Sequence, residues 1–195
     1  MPSAVVLLAD GTEEMEFTIT FDTLVRAGVK CCSAYVPPQT DVNPPPYATG
    51  SRGIRIMYDE VFDAKRFSPN SYNALIIPGG AKGAETMSNS PEVQDLVREF
   101  LAQGKIVGMI CAGSLTALTS KLPRQPITSH PSVKAQLEND YDYSEDPVVI
   151  SNKLVTSRGP GTAFPFALTL VELLCGAEKR DEVRAPMIFP LGTPF

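Results

Sequence analysis

Residues 106–114 read Ile-Val-Gly-Met-Ile-Cys-Ala-Gly-Ser. A continuous apolar run leads into one cysteine, Cys111, and then into the small residues Ala112 and Gly113. An unbroken run of this kind, rather than an alternating one, fits a strand covered on both faces. A helical pattern over Ser114 to Leu122 follows, so Cys111 falls on a strand-to-helix turn. Gly108, Ala112 and Gly113 let such a turn pack closely. A thiol placed there faces the start of a helix, which favours thiolate. Two readings stand open: a nucleophile held at the end of a strand, or an inert buried cysteine, a common fate for this residue.

Outward from that turn the pattern repeats. Ala4 to Ala9 is a second continuous apolar run, and Glu13 to Ala27 reads as a helix with Phe17, Phe21, Leu24 and Val25 on one stripe and Thr12 as its cap. Gly28 ends that helix, and Val29 to Val36 is the next strand. Val36 to Gly53 carries Pro37, Pro38, Pro44, Pro45 and Pro46, which exclude a regular element over most of it. A loop that long reads as a lid, a packed edge or a disordered stretch. Ile54 to Tyr58 reads as an edge strand and Asp59 to Phe67 as a short helix. Tyr72 to Ile77 is a buried strand ending in Pro78-Gly79-Gly80, and Pro91 to Gln103 a helix burying Val93, Leu96, Val97, Phe100 and Leu101. Val148–Ile150 and Leu154–Thr156 flank a hairpin turn, and Phe164 to Leu174 is an apolar helix. The tail from Ala185 onward is proline-rich and apolar, fit to pack on the body or on a partner, or to remain loose. Strands alternating with helices predict a three-layer α/β/α sandwich with a mostly parallel sheet, in one domain of 195 residues.

Composition narrows the function classes. The net charge is -5, from 22 acidic and 17 basic residues, which does not suggest a nucleic-acid binder. The N-terminal apolar run is too short for a membrane span and lacks the basic flank of a signal peptide, so no membrane partner is expected and the expected location is the cytoplasm. Four cysteines without a CxxC pair, beside a single histidine, suggest free thiols and no zinc site.

The carboxyl ends of strands gather ligands in such sheets. Besides Cys111, the Gly79-Gly80 turn offers backbone donors suited to an oxyanion, or is an ordinary turn. His130, in Thr-Ser-His-Pro, suits an acid, a base or an orienting group, or makes one structural hydrogen bond. Glu13 and Glu14 read as solvated residues interacting with the helix dipole. Glu16 points elsewhere on the helix, where burial and a nearby thiolate would raise its pKa and let it donate to sulfur. Ser157-Arg158-Gly159-Pro160-Gly161-Thr162 suits a cap for the last long helix, an anion site at Arg158 or a simple turn. Ser114 and Asp22 form no clear triad with His130.

Taken together, LLADGTEEMEF, ALIIPGG, ICAGS, THP and TSRGPGTAF resemble, in order, the motifs of the ThiJ/PfpI superfamily over nearly the whole chain. They are closest in pattern to the branch of the parkinsonism-associated protein and the glutathione-independent glyoxalases of type III. The resemblance implies a flavodoxin-like fold with the nucleophile elbow of class I glutamine amidotransferases, and a homodimer, in cytoplasm and also in nucleus. It places the catalytic glutamate at Glu16, the reactive cysteine at Cys111, the active-site histidine at His130 and the oxyanion donors at the amides of Gly80 and Ala112, with Gly79 and Arg158 as supporting contacts. The peptidase branch has a histidine directly after its cysteine; Ala112 stands there in this chain, which argues against that chemistry. Outer cysteines of animal relatives are replaced by Gly50 and Met57.

The implied reaction takes a small reactive 2-oxoaldehyde, methylglyoxal first, through a Cys111 hemithioacetal and a Glu16-mediated proton shift to a thioester, which water releases as lactate. That is a lactate-forming, lyase-type enzyme needing no redox cofactor and no metal. The alternatives are a cysteine-based oxidative-stress sensor, a chaperone or protein deglycase, and a dimeric scaffold. Lowering a thiol pKa by about three units gains roughly 30-fold in thiolate and loses roughly 20-fold in nucleophilicity, so catalysis must rest on proton transfer and oxyanion placement.

Overall fold

The structure, a computed structural model, describes residues 1–38 and 43–193. Its continuous apolar runs become adjacent strands. The strands are Ser3–Leu8 (β1), Lys30–Tyr35 (β2), Tyr47–Thr49 (β3), Arg55–Met57 (β4), Glu60–Val61 (β5), Ala74–Ile77 (β6), Ile106–Ile110 (β7), Pro126–Ile127 (β8), Asp142–Tyr143 (β9), Val148–Ser151 (β10) and Leu154–Ser157 (β11). One seven-stranded sheet runs β10-β11-β7-β6-β1-β2-β5, parallel throughout except for the β10–β11 hairpin. Every residue of β6 and β7 is buried, as the lack of alternation predicts.

Helices cover both faces: Glu14–Arg26 (α1), Ala81–Ser88 (α2), Pro91–Ala102 (α3), Leu115–Thr119 (α4), Lys134–Leu137 (α5), Ala163–Cys175 (α6) and Ala177–Arg184 (α7). α1 packs on α6 and α6 on α7, while α2, α3 and α4 pack together on the other side. The result is the expected three-layer α/β sandwich of the flavodoxin type. Side chains such as Leu7, Ile76 and Phe166, each fully buried, contribute about 2 kcal/mol apiece by leaving water. Among the described residues no helix is long and apolar enough to cross a membrane.

The topology fixes where a site can form. From β1 the chain steps to β2 on one side and later to β6 on the other. The loops after β1 and β6 therefore diverge at their carboxyl ends and leave a crevice between them. The loop after β7, which carries Cys111, opens beside it.

Several local expectations are corrected. The cap of α1 is Glu13, whose Oε2 accepts from the Glu16 amide at 2.8 Å; Thr12 turns back to accept from the Ala9 amide at 2.9 Å. Val25 is 49% exposed and leaves the apolar stripe, and Thr20, Thr23 and Leu24 take the buried side. Segment 54–58 is no edge of the main sheet: β4 pairs with β3 in a separate two-stranded ribbon. The edge is β5, inside the stretch read as a short helix. Asp59 explains this, because its Oδ2 accepts from both the amide and the hydroxyl of Ser33 at 2.8 Å and holds the chain extended against β2. Of the loop 36–53, residues 39–42 lie outside the described residues, and the rest includes β3. The helix read over 114–122 is a 3-10 turn, Cys111–Ser114, followed by the short α4. α2 and α7 were not anticipated: α2 contains Gly83 and polar residues, and α7 is strongly charged. The tail packs on the body through the Phe189 ring, edge-on to Phe164 at 5.0 Å; residues 194–195 lie outside the described residues.

Candidate active site

β7 ends in extended backbone at Ile110, and the chain reverses abruptly at Cys111, whose φ is +63°. A left-handed conformation at a residue with a Cβ costs about 1–2 kcal/mol. It turns the sulfur away from the sheet and toward the β1/β6 crevice. The thiol is nearly buried, at 8% exposure. The amides of Ala112 and Gly80 both donate toward the sulfur. Gly80, at φ +84°, lies so close to the β1 loop that a methyl group there would sit 2.1 Å from the Gly11 carbonyl oxygen. Only glycine fits, which is why the double-glycine signal is positional rather than incidental.

Glu16 enters from the first turn of α1 and is completely buried. Its Oε2 accepts from the Gly79 amide at 2.7 Å, and its carboxyl lies beside the Cys111 thiol and interacts with it electrostatically. Oε1 has no hydrogen-bond partner among the described residues. Gly79 is the hinge of this arrangement. A Cβ on it would lie 2.5 Å from Cys111 Cβ, 2.7 Å from Glu16 Oε2 and 2.9 Å from Cys111 Sγ. Its carbonyl in turn accepts from the Glu13 amide at 3.1 Å, tying the turn to the entry of α1.

Burial pushes the Glu16 carboxyl up to about 7, against the opposing hydrogen bond from Gly79. Burial also pushes the Cys111 thiol up to about 12, helped by the negative charge of Glu16, with the Ala112 and Gly80 amides working the other way. The expected helix-driven thiolate is therefore corrected. The elbow is followed by a 3-10 turn and a five-residue helix, too little to offset desolvation. Two acids share one buried site, and the first proton to leave belongs to the pair. A thiolate arises there when Glu16 takes the thiol proton, leaving the two amides and the carboxyl hydroxyl facing the sulfur.

His130 is joined to the elbow through the backbone, its amide donating to the Cys111 carbonyl at 3.3 Å. The Ser132 amide donates to Nδ1 at 3.2 Å, and the Ser132 hydroxyl lies 2.8 Å from the same nitrogen. Nδ1 is thus an acceptor, and the neutral ring carries its proton on Nε2. No hydrogen bond joins the ring to Cys111 or Glu16 among the described residues. Ser114 ties the two loops together, its hydroxyl donating to the Thr128 carbonyl at 3.0 Å.

The structure thus brings together Cys111, Glu16, Gly79, Gly80 and Ala112, with His130 adjoining. It does not bring in Arg158, whose guanidinium is paired with Glu145 at 2.5 Å and donates to the Glu145 carbonyl at 2.9 Å. Asp22 pairs with Arg26 on the surface. The sequence reading also missed Glu14. Rather than facing solvent it is buried, accepting from the Arg52 amide at 2.6 Å, the Ser51 hydroxyl at 2.9 Å and the Ile54 amide at 3.3 Å. Burial alone would raise its carboxyl, but these hydrogen bonds hold it below the ordinary range. Glu14 thereby clamps the β3–β4 ribbon onto the first turn of α1, two residues before Glu16. Its proximity to an apolar stripe was the one available signal.

A sequence profile described as the DJ-1/PfpI family matches residues 2–173. The chain belongs to the DJ-1/PfpI family. It is 40% identical over 196 residues to glutathione-independent glyoxalase DJ-1 of Schizosaccharomyces pombe, covering 97% of this chain and 100% of that one. It is 35% identical to glutathione-independent glyoxalase DJR-1.2 of Caenorhabditis elegans, covering 95% of each chain. The solved structure of Schizosaccharomyces pombe DJ-1 superposes with a TM-score of 0.89 at 39% identity, over 96% of this chain and all of that one.

Proposed function

We propose that this protein is a glutathione-independent glyoxalase that converts methylglyoxal, or another small 2-oxoaldehyde, and water to the 2-hydroxy acid. The observation that carries this is the pair itself: a buried carboxyl pushed up to about 7, set against Gly79 beside a cysteine that faces two backbone donors. Glu16 takes the thiol proton, and the Cys111 sulfur adds to the aldehyde carbon. Glu16 returns that proton to the aldehyde oxygen, so a hemithioacetal forms and Glu16 is again a carboxylate. Glu16 then removes the hydrogen from that carbon and the ketone oxygen is protonated, giving an enediol. Return of a proton to the neighbouring carbon, with loss of the hydroxyl proton on C1, gives the thioester, oxidised at C1 and reduced at C2. Water cleaves the thioester, releasing lactate and the thiol. The amides of Gly80 and Ala112 face the charge that develops on oxygen, and His130, as an Nε2–H donor, assists proton movement. No step requires an external electron acceptor, because one carbon's oxidation balances the other's reduction. The activity is thus that of a lactate-forming lyase. The names of two relatives support the same reading.

The oxidation-sensor reading is second. The same donors would hold oxygens on an oxidised sulfur, but a thiol pushed up to about 12 is a poor target for oxidants until Glu16 accepts its proton. A homodimer belongs to the proposal too. Exposed Met15, Ile54, Met57 and Val61 on α1, the β3–β4 ribbon and β5 supply apolar surface of the kind subunits cover.

Purified, reduced protein with methylglyoxal, free of glutathione and metal, is expected to form lactate over many turnovers. Cys111→Ser and Glu16→Gln are each expected to lose at least about 1,000-fold in kcat while remaining folded. Turnover retained in either variant would overturn the assignment.

A further inference from the structure

A groove of about 410 Å³ lies beside the elbow, between α2, α4 and the loop after His130. Three of its lining residues adjoin groups at the sulfur. Ala81 follows Gly80, the Ala112 amide itself faces Sγ, and Ser132 holds His130 Nδ1. The groove therefore borders the elbow at Ala112, while Cys111 and Glu16 themselves lie outside its lining. It is far larger than the methyl group of methylglyoxal.

Its chemistry is readable from α4. That helix turns Thr116 and Ala117 fully inward and leaves Leu115 and Leu118 half-buried along the groove. For a helix whose larger apolar residues would ordinarily be the buried ones, this is inverted. The two half-buried leucines and the buried Val133 form the apolar side of the groove. Glu85 is the one charged side chain among the described residues lining the groove, and it repels anionic groups.

We infer that this groove is a specificity subsite for the substituent on the ketone carbon, and that it selects uncharged, apolar chains of several carbons over both a methyl group and anionic groups. This rests on the 2-oxoaldehyde reading above and deepens it. The reacting C1 and C2 stay at Cys111 and Glu16, and the chain on C2 runs along Ala112 toward Leu115 and Leu118. Burying about two methylenes of such a chain lowers KM by about tenfold.

The test compares methylglyoxal with 2-oxooctanal, which carries a hexyl chain, by direct detection of the hydroxy acids. Wild-type protein is expected to show a KM for 2-oxooctanal about tenfold lower than for methylglyoxal. Leu118→Trp fills the groove, and Gln136→Trp, at an exposed position on its rim, narrows it without entering the core. Both are expected to lower the ratio of kcat/KM for 2-oxooctanal over methylglyoxal by about tenfold. Turnover of methylglyoxal with that ratio unchanged in both variants would overturn the subsite alone. Absence of turnover of either aldehyde by wild-type protein would overturn the glyoxalase reading and the subsite with it.

Discussion

Glu16→Gln should make the folded protein more stable while it stops the chemistry, and the gain should depend on pH in a defined direction. The Glu16 carboxyl is completely buried and moves from an ordinary 4.5 to about 7 on folding. The folded chain therefore holds that proton more tightly than the unfolded chain does. Its contribution is fully present below pH 4.5 and is lost as pH rises through about 7. The difference corresponds to about 3 kcal/mol at pH 8. Glutamine keeps an acceptor oxygen for the Gly79 amide but cannot ionise. The stability of Glu16→Gln relative to wild type is thus expected to grow by about 2–3 kcal/mol between pH 5 and pH 8, or roughly 4–12 °C in Tm for a chain of this size. Urea unfolding of both reduced proteins at fixed concentration and four pH values in that range measures it. A difference that stays constant with pH would show that Glu16 ionises as freely in the folded protein as in the unfolded one, and the proton-sharing mechanism would lose its foundation.

Other consequences follow from the same geometry. The pair must lose one proton to react, so kcat/KM should rise through an apparent pKa near 7 and level off by about pH 8.5; a flat profile from pH 5.5 to 8.5 would exclude the Glu16–Cys111 pair as its source. Gly79→Ala puts a methyl group against both Cys111 and Glu16, and kcat should fall about 100-fold or more with the fold retained by circular dichroism. Glu14→Ala removes the clamp on residues 51–54 and should cost about 1–3 kcal/mol at pH 7 in urea unfolding. Because the Glu14 carboxyl is held low, that cost should shrink as pH falls below about 4.5, where the unfolded chain takes up its proton first.

The middle of the sheet was legible because β1, β6 and β7 are continuous apolar runs, the pattern of strands covered on both faces. The elbow was legible because it combines a strand end, a lone thiol and small neighbours. What escaped the sequence depends on distant partners. Asp59 overrides a helix pattern by bonding Ser33, twenty-six positions away along the chain. Glu14 looks like a solvated first-turn acid until the β3–β4 ribbon folds over it. The thiol's electrostatics were misjudged for the same reason: a helix start is visible locally, but the burial that outweighs it is assembled from β1, β6 and α1. Among the roles open to Arg158 in the sequence, the anion contact fails because its partner, Glu145, sits across a loop.

The account's central claim is that Glu16 carries a proton between the two substrate carbons while Cys111 holds the aldehyde. Methylglyoxal labelled with 13C, turned over in D2O and followed by NMR, tests this most directly. The predicted result is many equivalents of lactate with deuterium at C2, since the proton returned there has passed through an exchangeable carboxyl. Lactate that carries only protium at C2 would contradict exchange at the carboxyl during turnover, and a single equivalent of protein-bound adduct with no lactate would contradict catalysis altogether.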